Sequence, residues 1–220
     1  MKTLTTALLM LLVIVSFTAC NQTNSNTTNS GGEETAAGAK VKTNVKPQAD
    51  TEVAVIETAD YGRIVVELYP NLAPKMVERF KKLINEKFYD GTAIHRIDPN
   101  LGIIQGGDPL TKGSNSALYG TGNSPYPNVP AEFSDIPYDR GTLGAARTSD
   151  VNGANCQWFI TMKKQPAFDK KYTVFGRVID GIKNAEVIMT APTKPNTEQP
   201  AEKAVIKSIT LQPRTNFPAQ

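Results

Sequence analysis

Residues 88–109 read FYDGTAIHRIDPNLGIIQGGDP, and they set the pattern that the chain follows up to Thr142. Short apolar runs alternate here with turns that contain Gly, Pro and Asp, and such runs predict short β-strands. The segment also contains His95, the only histidine of the chain, followed by Arg96 and, after a turn, by Gln105.

Two β-rich runs and a helical pattern precede this segment. Val53–Thr58 and Arg63–Tyr69 flank a turn at Asp60–Gly62, which predicts an opening hairpin. Apolar residues then recur at helical spacing from Met76 to Ile84, with a proline in the first turn, so we expect a helix there.

More strands are predicted after the segment. A strand pair is expected at 157–162 and 172–178, then a short helix capped by Asp180, and a final strand at 204–211. Many short strands with only two helices favour a mainly β fold, a closed antiparallel barrel.

The composition excludes several classes of function. The chain has 220 residues, and its 24 basic and 21 acidic side chains give a net charge of only +3 without a basic block, which argues against nucleic-acid binding. Two cysteines and one histidine argue against a zinc site, a disulfide scaffold or any mechanism that needs two histidines.

The N-terminal residues have the pattern of a secretory signal. Lys2 precedes an apolar run from Ala7 to Phe17, which is too short for a comfortable membrane span. Phe17-Thr18-Ala19-Cys20 resembles the cleavage motif of bacterial lipoproteins, in which the cysteine is lipidated. We therefore expect a signal peptide at 1–19 and acylation at Cys20, which would anchor the protein in a bilayer of the bacterial cell envelope, facing outside the cytoplasm. A secretory protein without lipid is the alternative.

The rest of the chain divides by composition. Residues 20–50 are polar and lack apolar periodicity, which predicts a disordered tether after the lipidated cysteine. A folded domain is expected at 51–213 and a short tail at 214–220.

Several segments in this domain together resemble the cyclophilins. In order they are Leu72–Phe80, Phe88–Ile97, Ile104–Pro109, Gly144–Ser149, Gln157–Ile160 and Phe168–Val178. The resemblance implies a closed eight-stranded antiparallel barrel capped by two helices, with a groove on its outer face. It also implies a peptidyl-prolyl cis/trans isomerase that acts on proline-containing polypeptides, here exported or surface proteins, without cofactor or metal.

The same resemblance implies which residues form the site. Arg96 matches the catalytic arginine, Gln105 the groove glutamine and Phe159 the floor of the proline pocket. The residues expected to contact substrate are Leu101, Ile103, Ala146, Arg147, Gln157, Phe168 and Tyr172.

These residue types suit rotation about an X–Pro bond. Rotation crosses a barrier of about 18–20 kcal/mol because it breaks amide resonance, and it localises a lone pair on the proline nitrogen. A guanidinium donor aimed at that nitrogen binds the twisted state selectively, and no covalent chemistry is required.

Two departures from the family pattern leave alternatives open. Pro99–Ile104 is one residue longer than usual and lacks the usual phenylalanine, so a module that binds proline segments with little turnover is the second hypothesis. A structural surface protein is the third. No tryptophan lies at 167 or 168, so any cyclosporin-like ligand is expected to bind weakly.

Overall fold

The computed structural model describes residues 38–218, which form a mainly β structure with two α-helices. The strands are β1 (Val41–Lys42), β2 (Glu52–Thr58), β3 (Arg63–Leu68), β4 (Ala93–Ile94), β5 (Arg96–Asp98), β6 (Ile103–Gly106), β7 (Phe133–Ser134), β8 (Thr142–Ala145), β9 (Trp158–Thr161), β10 (Val174–Asp180) and β11 (Ala204–Pro213). The α-helices are α1 (Pro74–Asn85) and α2 (Ile182–Met189), and short 3-10 turns lie at Pro109–Lys112, Ser116–Leu118, Pro166–Phe168 and Arg214–Asn216.

Nine strands form one antiparallel sheet in the order β4-β11-β2-β3-β10-β8-β9-β6-β5. Its first and last strands, β4 and β5, are separated along the chain only by His95. Because β4 pairs with β11 and β5 pairs with β6, this one stretch of chain joins both edges of the sheet. The predicted antiparallel barrel is confirmed. Its sheet has nine strands rather than the predicted eight, because an interruption at His95 separates β4 from β5.

Both helices pack against the core of the barrel. The apolar face of α1 is buried, with Met76, Phe80 and Leu83 fully inside, as the sequence pattern predicts. The helix α2 begins after Gly181, whose φ of 76° lies in the left-handed region. The prediction that Asp180 caps this helix is wrong, because Asp180 ends β10 and its carboxylate accepts from Arg63 at 3.1 Å.

Alternate side chains of β9 belong to two different buried clusters. Trp158 is buried in the main core together with Cys156, whereas Phe159 points to the opposite face and joins a second cluster that contains Tyr138 and Phe168. Burial raises the pKa of the Cys156 thiol to about 12, as expected for a small buried side chain. The second cluster supplies apolar residues of the candidate site, among them Ile103, Phe159 and Phe168.

The ordered chain begins earlier than the sequence predicts. β1 pairs in parallel with β7, Val41 is only 1% exposed, and the Lys42 ammonium donates to the Leu72 carbonyl at 2.7 Å. Val45 packs against the second cluster. The prediction of an unstructured tether up to Asp50 is therefore wrong for residues 38–50, because two valines in a polar stretch find partners that are distant in sequence.

The C-terminal boundary shifts in the same way. Arg214 binds Glu67 at 3.3 Å, and Phe217 packs against the small cluster of Val53, Val55 and Val65, so the beginning of the predicted tail belongs to the domain. The predicted signal peptide and Cys20 lie outside the described residues. Within 38–218, no helix has the length and apolar character needed to cross a bilayer.

Candidate active site

A row of directly paired residues crosses three neighbouring strands on the outer face of the barrel. Arg96 in β5 pairs with Gln105 in β6, and Gln105 pairs with Phe159 in β9. Directly opposed residues of antiparallel strands point to the same side of the sheet, so these three side chains lie next to one another. Strand register therefore brings together the three residues predicted to be catalytic.

These residues line a cavity of about 540 Å³. Of the residues predicted to contact substrate, the ones that line it are Leu101, Ile103, Ala146, Arg147, Phe168 and Tyr172. Gln157 lies instead in an adjoining cavity of about 310 Å³, which shares Gln105, Gly120, Ala146 and Arg147 with the first. The two cavities together thus collect the predicted groove residues, and the individual roles of these residues stay predictions.

Aromatic rings form the apolar end of the cavity. The Phe159 ring stacks on Tyr138 with centroids 5.5 Å apart and meets Phe168 and Tyr172 edge-on at 5.5 and 5.7 Å. Gly144, the partner of Phe159 in β8, leaves room for this packing, because a β-carbon there would collide with the Phe159 ring and the Tyr138 hydroxyl. The result is a fixed apolar floor of a kind that suits a proline ring.

The longer segment at 99–104 is firmly held despite its departure from the family pattern. The Leu101 amide donates to the Asp98 carboxylate at 2.9 Å, and the Gln165 side chain donates to the Leu101 carbonyl at 2.9 Å. Lys163 binds the Asn100 carbonyl at 2.8 Å and covers Gly102, which has a φ of 66°. Leu101 and Ile103 consequently keep their places at the wall of the cavity.

Hydrogen bonds fix the polar part of the groove. The Gln157 amide donates to the carbonyls of Gly120 and Gly122 at 3.0 and 2.9 Å, and its oxygen accepts from Gln105 at 3.0 Å. This arrangement turns the Gln105 oxygen towards Arg96, whose Nη1 lies 3.4 Å away. Gln157 therefore fixes the orientation of the Gln105 amide.

Arg147 lines both cavities. Its guanidinium donates to the carbonyls of Thr148 and Lys171, both at 2.9 Å, and lies 4.5 Å from the centroid of the Tyr172 ring. Carbonyl bonds and a cation–π contact hold this charge in place.

Further residues that line the cavity were not predicted from the sequence. Glu198 binds Arg96, and Tyr119 and Gln199 also line the cavity. Glu198 is separated from Arg96 by 102 positions, and no local pattern links them. His95 lines the cavity as well, and burial lowers the pKa of its ring, which is therefore uncharged at neutral pH.

This arrangement supplies a fixed cationic donor beside an apolar slot. Such a site can grip an apolar ring and donate a hydrogen bond to an atom held above Gln105 and Phe159. It contains the elements that rotation about an X–Pro bond requires.

The comparisons with known proteins agree with this geometry. The family described as "Cyclophilin type peptidyl-prolyl cis-trans isomerase/CLD" matches residues 53–211. A Brucella suis protein named "Probable peptidyl-prolyl cis-trans isomerase" is 44% identical over 138 residues, which cover 61% of this chain and 70% of that protein. The peptidyl-prolyl cis-trans isomerase-like 3 of Gallus gallus is 34% identical over 163 residues, 72% of this chain and 96% of the relative.

A solved structure has the same fold. The crystal structure of a Cryptosporidium parvum cyclophilin-type peptidyl-prolyl cis-trans isomerase, determined in the presence of the dipeptide Ala-Pro, superposes with a TM-score of 0.65. It is 28% identical, and the match covers 73% of this chain and 98% of that one. The chain belongs to the family of cyclophilin-type peptidyl-prolyl cis-trans isomerases.

Proposed function

We propose that Arg96 drives the isomerase reaction by donating a hydrogen bond to the proline nitrogen of the substrate. The observation that carries this proposal is the cross-strand row of Arg96, Gln105 and Phe159 along one cavity. The related Cryptosporidium parvum isomerase was crystallised in the presence of the dipeptide Ala-Pro, which supports a proline-containing ligand for this groove.

The reaction needs no covalent intermediate. The substrate's proline ring lies on Phe159 between Leu101 and Ile103, while Gln105 positions the peptide backbone. As the X–Pro bond twists, the lone pair becomes localised on the proline nitrogen, and the Arg96 guanidinium donates to it. Because this interaction forms only in the twisted state, it lowers the barrier rather than merely tightening binding.

The other groove residues then determine which polypeptides bind. Ala146, Arg147 and Gln157 contact residues next to the proline, and Phe168 and Tyr172 close the far wall. Their positions along the two adjoining cavities support these roles.

Substitution of Arg96 tests the donor role. Arg96→Ala should lower kcat/KM on an Ala-Pro peptide about a hundredfold to a thousandfold, as expected for the loss of one preorganised donor. Arg96→Lys should be nearly as damaging, because an ammonium group cannot reproduce the planar fork. Arg140→Ala is the matched control, since Arg140 is an exposed arginine paired with Glu186 outside the cavity.

Circular dichroism establishes that each variant is folded. A folded Arg96→Ala protein that keeps more than about a third of the wild-type kcat/KM would overturn the donor role. The module that binds proline segments without much turnover would then be the better description.

We also propose that the enzyme works on exported proteins while anchored to a membrane of the bacterial cell envelope through acylated Cys20. The proposal rests on Phe17-Thr18-Ala19-Cys20 after a short apolar run. Stable anchoring requires more than one acyl chain, because a single chain binds only marginally.

The anchor can be tested with Cys20→Ser. This variant should move from the membrane fraction to the soluble fraction or accumulate unprocessed, whereas Cys156→Ser, which changes the buried cysteine, should stay at the membrane. Unchanged fractionation together with unchanged protein mass would rule out lipidation at Cys20.

Weak binding of cyclosporin-like macrocycles is a further part of the proposal. Ala167 and Phe168 stand where many relatives carry tryptophan, so an indole N–H donor is missing, at a cost of about 0.5–1.5 kcal/mol. Titration calorimetry should therefore give a weaker affinity than for a tryptophan-bearing relative, and equal affinity would contradict this expectation.

A further inference from the structure

The guanidinium of Arg96 is held along one edge by two carboxylates. Nε donates to Glu198, and Nη2 donates to Asp98 at 2.9 Å. In the planar fork of arginine, Nε and Nη2 point in the same direction, so these two bonds occupy one edge of the group. The end that carries Nη1 is directed to Gln105, next to Phe159.

Asp98 is the buried member of this pair. Its side chain is only 4% exposed, and its second oxygen accepts the amide of Leu101 at 2.9 Å. An ionised carboxylate is costly to bury unless it is paired. The buried position of the Asp98 carboxylate therefore depends on its ion pair with Arg96. The same carboxylate thereby fixes the guanidinium and the turn that carries a wall residue of the cavity.

Glu198 is half-exposed, but its backbone is anchored. It belongs to the 190–203 segment between α2 and β11, and its carbonyl accepts the amide of Ile97 in β5 at 2.7 Å. The neighbouring Gln199 side chain donates to the Ser116 carbonyl at 2.7 Å, and Lys194 donates to the Ser116 hydroxyl at 3.0 Å. These bonds hold the Glu198 carboxylate above Arg96.

We propose that Glu198 and Asp98 are positioning residues that lock the Nε–Nη2 edge of Arg96 and leave its Nη1 end facing the proline nitrogen. A flexible arginine must otherwise be ordered during each turnover, whereas a preorganised donor is already in place when the bond twists. Because Arg96 donates to the substrate only in the twisted state, the loss of its positioning should change kcat more than KM. The inference rests on the donor role proposed for Arg96.

The test compares Glu198→Ala and Glu198→Gln in the full chain. Glu198→Ala should lower kcat about threefold to tenfold and change KM for an Ala-Pro peptide less than about twofold. Glu198→Gln keeps an acceptor oxygen and should recover most of the loss. The matched control is Glu186→Ala, because Glu186 is similarly exposed and forms an ion pair with Arg140.

A spectroscopic signal separates positioning from a general structural effect. The Nε–H resonance of Arg96 should shift and exchange faster with solvent in Glu198→Ala, and it should be unchanged in Glu186→Ala. Asp98→Asn should lower kcat further, but it also weakens the bond to Leu101, so the Glu198 variants carry the test.

Two results would overturn the inference. An unchanged kcat in Glu198→Ala with an unchanged Arg96 Nε–H resonance would show that the contact does not position the donor. A higher kcat would show that Glu198 restrains Arg96 instead. If Arg96→Ala itself keeps wild-type activity, the donor role fails first, and the two failures are thus distinguishable.

Discussion

The floor of the groove depends on the missing side chain of Gly144 as much as on the Phe159 ring. A β-carbon at 144 would lie only 2.4 Å from the Phe159 ring and 2.7 Å from the Tyr138 hydroxyl, and the Tyr138 ring stacks on Phe159. The close approach of these three residues leaves the floor without room to adjust.

Gly144→Ala should therefore displace the floor. We expect a loss of about 1–3 kcal/mol in the free energy of unfolding from overpacking and a higher KM for proline peptides. Gly113→Ala is the control, because its nearest contact would be the Leu110 carbonyl at 3.4 Å. Denaturant unfolding and steady-state kinetics provide the measurement, and equal effects at both glycines would contradict the packing argument.

His95 makes the stability of the folded protein depend on pH. Burial lowers the pKa of its ring, and the Arg96 charge acts in the same direction, while the Asp108 carboxylate opposes them. The unfolded chain takes up a proton on this ring near pH 6.5, and the folded protein does so only at lower pH. Stability from this residue is thus complete above about pH 6.5 and is lost as the pH falls below it.

Denaturant unfolding at pH 7 and pH 5 tests this link. The wild type should be less stable at pH 5, and His95→Gln, which cannot titrate there, should reduce the difference. An equal pH dependence in both proteins would assign the effect to other groups.

At the level of secondary structure, sequence patterns predict the elements that form from residues close together in the chain. The hairpin of β2 and β3 and the helix α1 are confirmed, because the turn at Asp60–Gly62 and the apolar stripe are visible in sequence. The pairing of β1 with β7 was not predictable, since it joins distant segments through only two residues on each side. The contact of Glu198 with Arg96 was not predictable either, because the two residues are 102 positions apart.

Residues 38–50 consequently belong to the folded domain. A chain that begins at residue 51 should unfold more easily than one that begins at residue 38, because it loses the buried Val41, which alone contributes about 1.5–3 kcal/mol. It also loses the pairing of Lys81 with Asp50 at 2.9 Å.

Urea unfolding of the two chains measures this difference, and Val41→Ser in the longer chain is the matched single substitution. Identical midpoints in all three proteins would mean that β1 does not contribute to stability.

At the scale of the whole molecule, the barrel closes through the stretch that carries the site. The chain from β4 to β5 forms both edges of the sheet, and Arg96 follows directly after its interruption at His95. The segment 88–109 thus supplies both the closure and five residues that line the cavity, namely His95, Arg96, Leu101, Ile103 and Gln105. Sequence motifs could predict these residues, whereas their exact contacts needed strand register.

The alternative of a binding module with little turnover is resolved only by observing binding and rotation together. Leu101 and Ile103 line the cavity despite the longer 99–104 segment, so the groove is equipped for both. The decisive quantity is the rate of cis/trans exchange in a bound proline peptide.

The most direct test is NMR exchange spectroscopy of an Ala-Pro peptide with substoichiometric protein, combined with amide shifts of the labelled protein. We predict rapid cis/trans exchange with the wild type and shifts centred on Arg96, Gln105 and Phe159. With Arg96→Ala, we predict that the shifts at Gln105 and Phe159 remain while exchange falls to near the uncatalysed rate, which takes roughly tens to hundreds of seconds. Exchange that stays fast with Arg96→Ala, or shifts that centre on another surface, would contradict the proposed mechanism.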